Sequence, residues 1–250
     1  AIDTVSTNVS GHVRTKLNGL ASNESLDEET RSAARTAIQR IESRVSFFEL
    51  IQTAFFGLSL GSILVLAAIG LSVTFGVMGV INMAHGELMM LGAYTTYVVQ
   101  QLMPNAIGAS LFVAMPAAFV IAGLVGIAIE RGIVRSLYGR PLETLLATFG
   151  VSLVLQQAVR SIFSPLNRSV ITPEWLSGSL EIVPGLELTL NRLYILAFSV
   201  LVFLALLAVL KRTRLGLEMR AVTQNRAMAK AKGIRTNRGD MLTFGLGSGI

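Results

Sequence analysis

Three side chains capable of chemistry stand within six residues of one another in the run Ile81-Asn82-Met83-Ala84-His85-Gly86-Glu87. Asn82 offers donors and an acceptor, neutral His85 offers one of each, and ionised Glu87 accepts. A second set, Thr144, Thr148, Ser152 and Gln156, recurs every four residues and therefore shares one helix face. Both sets lie in stretches that read as membrane, where polar side chains are costly and are functional suspects by default. Hydroxyls, amides and a carboxylate can line a path for a small polar solute. The same groups can instead cap broken helices or bond between helices, a contact averaging about 0.6 kcal/mol. The residue types leave both readings open for Asn82, His85, Glu87, Thr148, Ser152 and Gln156. Paired carboxylates and metal-ligand spacings are missing from the apolar stretches, cysteine is absent, and the two histidines lie far apart at positions 12 and 85. No catalytic residue, metal or cofactor is expected.

The elements that must hold these residues are membrane helices. From Val45 to Glu130 the chain runs 86 residues without a lysine or arginine. Overall it is 52% hydrophobic and 14% charged, against roughly 25% charged in soluble domains. One crossing needs about 20 apolar residues. Spans are expected at about 49–72, 87–103, 109–130, 142–163 and 191–210, with another opening at Met241. Gly76, Gly79 and Gly86 surround the polar run and predict a broken or re-entrant helix near 76–90. Such backbone survives in a bilayer only where protein or water satisfies its amides. Glycines at spacing four, Gly57/Gly61 and Gly245/Gly249, offer close-contact helix faces.

Residues 1–46 are polar. Ser25 and Glu28 form a capping box, and Ala34, Ile38, Ile41 and Val45 fall on one helix face. The reading is an all-α, polytopic transmembrane helix bundle with a broken helix and a short cytoplasmic coupling helix. Its domains are a polar extracytoplasmic segment, 1–46, and a transmembrane domain, 47–250, whose further spans are expected beyond Ile250. A bundle short of those spans should behave poorly in isolation. The number of crossings between 47 and 103 stays open.

The net charge of +6 is concentrated rather than spread. Nine of the 21 cations fall between Lys211 and Arg238, against the single acid Glu218. Arg131, Arg135 and Arg140 follow another apolar stretch. Basic clusters at span ends mark cytoplasmic loops, so 131–141 and 211–238 are placed inside and 164–190 outside. This pattern speaks for a bilayer and against nucleic acid. The segment from Arg214 to Arg235 reads as a helix from about 217 with small side chains and a stop at Gly233. It suits docking into a partner's groove or lying on anionic lipid.

The segments Gly57-Leu-Ser-Leu-Gly-Ser62, Gly76-Val-Met-Gly-Val-Ile-Asn-Met-Ala-His-Gly-Glu87, Met90-Leu-Gly-Ala-Tyr94, Ile129-Glu-Arg131 and Arg140-Pro141 resemble the permease of the branched-chain amino-acid and urea branch of bacterial ABC importers. The stretch from Arg220-Ala221 through Arg226-Ala227 to Gly233-Ile234 resembles the loop by which such permeases engage their ATPases, without its usual Glu-Ala-Ala opening. The resemblance covers about 50–250. The wording of 57–100 and the polar N-terminal extension are more similar to the urea permease.

The resemblance implies a bacterial inner-membrane location and four kinds of partner: a second permease, two cytoplasmic ATPases, a periplasmic solute-binding protein and the bilayer. It implies that Arg220, Arg226, Ala227, Ala229 and Gly233 couple to an ATPase, and that ATP hydrolysis belongs to the partner. No phosphate-binding Gly-x-x-x-x-Gly-Lys-Ser/Thr loop is present here. The expected solute is urea. The alternatives are a branched-chain amino acid, for which Glu87 would meet the ammonium, and a passive small-solute channel.

Overall fold

A computed structural model of the chain describes residues 11–22, 27–183 and 186–250. The helices are α1 (Gly11–Ser22), α2 (Glu28–Met78), α3 (His85–Leu102), α4 (Ile107–Gly132), α5 (Pro141–Phe163), α6 (Leu190–Arg212), α7 (Arg214–Gln224), α8 (Arg226–Ala231) and α9 (Thr236–Gly249). The described residues are overwhelmingly helical, as the all-α reading requires. Among the described residues, four helices are long and apolar enough to cross a membrane: α2, α4, α5 and α6. Their large side chains Leu58, Leu64, Leu146, Val154 and Leu201 are exposed, the apolar surface expected of membrane-spanning helices. This is the pattern of a multi-pass membrane protein.

The chain forms two compact units. The first joins Ala1–Ser62 to Leu176–Ala197. Here α1 packs Leu17 and Val13 against Ala37, Ile38, Ile41 and Val45 of α2, so the face expected from spacing is the buried one. The amphipathic helix and the first span are one helix of 51 residues. The Ser25 half of the capping box lies outside the described residues. The segment 164–190, expected as a loop, carries two antiparallel strands, β1 (Ser179–Val183) and β2 (Leu186–Thr189), with Leu180 opposite Leu188.

The second unit, Ile63–Trp175 with Phe198–Ile250, holds the broken helix. Helix α2 ends at Met78 because Gly79 adopts φ +66°, the left-handed turn that closes helices. The chain then runs six residues without helix before α3 begins at His85. Helix α3 has 18 residues, about 27 Å at 1.5 Å per residue, and falls outside the four clear spans. His85, Glu87, Thr95 and Gln100 make it too polar for lipid on all sides, and it packs along α4.

Helix α9 is seated between α2 and α4 through glycine. A Cβ on Gly247 would stand 2.7 Å from the Gly70 carbonyl oxygen, and one on Gly245 would stand 2.8 Å from Ile127 Cγ1. Gly249 lies equally close to Phe119. Of the two glycine pairs singled out by spacing, Gly245/Gly249 forms a close helix contact and Gly57/Gly61 faces open space.

The basic segment forms two helices rather than one. Thr213 caps α7 by accepting from the Gly216 N–H, and Asn225 caps α8 by accepting from the Met228 N–H at 3.0 Å. A capping side chain stabilises a helix start by about 1 kcal/mol. That preference at Asn225 divides the segment.

Candidate functional site

The polar run divides into two groups by what its side chains touch. Asn82 is buried, and its Oδ1 accepts from the Ala84 N–H at 3.1 Å. Its Nδ2 has no hydrogen-bond partner among the described residues. The Thr148 hydroxyl accepts from the Met83 N–H at 3.2 Å and lies 3.3 Å from the Ile81 carbonyl oxygen. His85 Nε2 lies 3.1 Å from the Ala67 carbonyl oxygen. A carbonyl only accepts, so Nε2 carries the proton. Gly70, one turn on from Ala67, leaves room for that ring: a Cβ there would stand 3.1 Å from His85 Cε1. Asn82, His85 and Thr148 therefore serve the backbone exposed by the break and the helix beside it.

Glu87 and Gln156 do something else. Gln156 Nε2 donates to Glu87 Oε1 at 2.6 Å, joining α5 to the first turn of α3. Ser152, one turn before Gln156, is buried and places its hydroxyl beside the same carboxylate. The stripe read from spacing faces the interior: Thr144, Thr148 and Ser152 are all buried. Glu87 and Gln156 then open onto a cavity of about 330 Å³, whose wall includes Met90, Tyr94, Val159 and Arg160. Spacing had not singled out these four.

The rim of that cavity is Ser164, Pro165 and Asn167. Ser164 ends α5 at φ 75° and ψ 154°, a conformation costly to any residue but glycine, and turns the chain back over the cavity. The following loop is anchored twice. The Gln100 amide donates to the Ile171 carbonyl at 2.8 Å and accepts from the Ile171 N–H at 2.9 Å. Trp175 stacks on Phe112 with centroids 5.4 Å apart and donates to the Gly108 carbonyl at 3.1 Å.

A second candidate region is the basic segment. Arg220 is exposed and donates to the Leu210 carbonyl. Arg226 turns inward: its guanidinium forms a two-pronged ion pair with Asp240, donates to the Tyr138 hydroxyl and lies 3.9 Å from the centre of that ring. Burial, together with the Asp240 carboxylate, pushes the Tyr138 phenol up to about 12, with Arg226 opposing. Ala229 is buried, whereas Ala227 is exposed beside exposed Met228. Gly233, at φ +83°, ends α8 with Gly233 and Ile234 N–H groups donating to Lys230 and Ala229 carbonyls, a Schellman closure. The five coupling candidates thus take different places: Ala227, Arg220 and Gly233 on the surface, Arg226 in an ion pair, Ala229 in the packing.

Residues 53–250 match the family described as the permease component of the branched-chain amino acid transport system. The chain belongs to this family. It is 33% identical over 215 residues to the high-affinity branched-chain amino acid transport system permease protein LivH of Salmonella typhimurium LT2, covering 82% of this chain and 68% of that one. LivH of Escherichia coli K12 matches to the same extent. The corresponding permease BraD of Pseudomonas aeruginosa is 30% identical over 203 residues, 78% of this chain and 66% of its own length. No solved structure matches. The chain is an ABC-type permease of the branched-chain amino acid transport family. The urea reading, which rested on the wording of 57–100 and the polar N-terminal extension, has no support in these relatives, and the amino-acid alternative fits them better.

Proposed function

We propose that this chain is the membrane permease of an ABC importer carrying a branched-chain amino acid into the cytoplasm, powered by ATP hydrolysed on partner chains. The observation that carries the reading is the family match across residues 53–250. The cavity beside Glu87 and Gln156 supports it. Met90, Tyr94, Val159 and Pro165 give one wall apolar character, which urea has no group to use and an aliphatic side chain does. Glu87, Gln156 and Ser152 form the polar wall of the pathway, while Asn82, His85 and Thr148 hold its broken backbone in place. Partners are a second permease, two ATPases and a solute-binding protein. Residues of α7 and α8 engage an ATPase through the surface holding Ala227, with exposed Met228 and Leu217 as apolar anchors.

The test is ATP hydrolysis by the full-length permease reconstituted in lipid with its ATPases, second permease and binding protein, with leucine or urea supplied separately. Stimulation by leucine alone is expected. Stimulation by urea alone would overturn the solute assignment and leave the importer architecture intact. Solute flux independent of the ATPases would make the chain a passive channel.

A further inference from the structure

Two opposite charges line the cavity above the break, and they do not pair with each other. Glu87 takes its hydrogen bond from the neutral Gln156 amide. Arg160, on the same cavity wall, has no hydrogen bond or ion pair among the described residues. Gln156 and Arg160 are four residues apart on α5, so they share a face and are separated by about 6 Å along its axis. The Gln156 contact fixes the Glu87 carboxylate near its own height, and the guanidinium starts one turn further towards the rim.

An α-amino acid carries its ammonium and carboxylate on a single carbon. One anionic and one cationic side chain lining the same cavity can each reach such a solute through a charge-assisted hydrogen bond of roughly 2.8 Å. Arginine's planar fork suits a carboxylate specifically. The aliphatic side chain then falls against Met90, Tyr94 and Val159. Urea, being neutral, meets no need of either charge.

We propose that Arg160 and Glu87 form a zwitterion-recognition subsite, with Arg160 holding the α-carboxylate and Glu87 the α-ammonium of an aliphatic amino acid. The subsite rests on the amino-acid reading of this cavity and adds the groups that recognise the backbone of the solute. Ser164, Pro165 and Asn167 form its mouth, and the turn at Ser164 keeps them over it.

Saturation-transfer NMR on the full-length permease, co-purified with its ATPases and without the binding protein, reads weak binding of leucine, leucinamide and urea directly. Leucinamide keeps the ammonium and lacks the carboxylate. Arg160→Gln is expected to weaken leucine by about tenfold or more, the loss of one charge-assisted contact, while leucinamide is unchanged. Arg160→Lys recovers part of the leucine binding, because it restores the charge and not the planar fork. Glu87→Gln weakens leucine and leucinamide alike.

Equal leucine binding by wild type and Arg160→Gln overturns the subsite and leaves the amino-acid reading standing. Equal loss of leucine and leucinamide in Arg160→Gln also overturns it, since Arg160 would then shape the cavity rather than read the carboxylate. Binding of urea and not leucine by the wild type overturns the amino-acid reading beneath it.

Discussion

Breaking the Arg226–Asp240 pair should loosen the segment between α8 and α9 by a measurable amount. The Asp240 side chain is 4% exposed and that of Arg226 is 33% exposed, so the carboxylate is held out of water mainly by one guanidinium. Removing one partner of a buried pair costs about 3–5 kcal/mol, because an uncompensated charge stays behind. The partial exposure of Arg226 puts this pair at the lower end, about 3 kcal/mol. At 1.4 kcal/mol per tenfold, local opening of residues 226–240 should rise about a hundredfold in Arg226→Met. Amide hydrogen exchange read by mass spectrometry on the solubilised full-length complex measures that opening. The double variant Arg226→Met/Asp240→Leu should recover most of the loss, since an apolar pair of similar volume carries no desolvation penalty. Exchange within about threefold of wild type in Arg226→Met, or a double variant no better than the single, would refute the electrostatic account of this contact.

Gly247→Ala places a methyl 2.7 Å from the Gly70 carbonyl oxygen and from Thr74 Cγ2, so the thermal midpoint of the solubilised protein should fall by the equivalent of about 1–3 kcal/mol, while Gly57→Ala, with nothing near it, should leave that midpoint unchanged. Tyr138 should titrate near 12 rather than 10.0 in the difference absorbance between wild type and Tyr138→Phe. Its folded-state value is raised, so its contribution to stability is full below pH 10 and is lost as the pH climbs through about 12. Ala227→Trp, on an exposed face, should abolish ATPase co-purification with local exchange unchanged, whereas Ala229→Trp, at 5% exposure, should raise exchange across α8. The reverse pattern would exchange their roles.

Much of the helical order was legible because apolar length alone specifies a crossing. The cation-free stretch, the break at Gly79 and the buried stripe of Thr144, Thr148 and Ser152 all follow from residue type and period. The strand pair at 179–189 was not legible in a short acidic loop between two spans. The division of the basic segment was written in Asn225, whose capping preference competes with the surrounding helix formers. The solute was the weakest inference, because it rested on the wording of 57–100 and the polar N-terminal extension, neither of which specifies a solute's chemistry. Arg160 was overlooked because it stands beyond Gln156, at the end of α5, and reads as an ordinary cation near a span terminus. Spacing of four from Gln156 was the signal available for it.

Breaking a helix inside a bilayer frees amides and carbonyls that must be met locally, and each side chain used for that purpose is unavailable to a solute. Asn82 and Thr148 are used this way, with contacts of 3.1–3.3 Å to backbone atoms of 81, 83 and 84, while His85 ties the start of α3 to the Ala67 carbonyl of α2 at 3.1 Å. Glu87 is the first charged side chain after the break, and its contact is with another side chain, Gln156. A break at Gly79 thus does two things in sequence. It consumes two polar residues, Asn82 and Thr148, to stay folded, and it starts α3 where Glu87, in its first turn, opens onto the cavity with Met90 and Tyr94 on the following turns. Moving the break by one residue would rotate that face by about 100° and carry Glu87 away from Gln156. The position of the glycine turn, more than any single polar residue, therefore determines which groups line the cavity proposed for the solute.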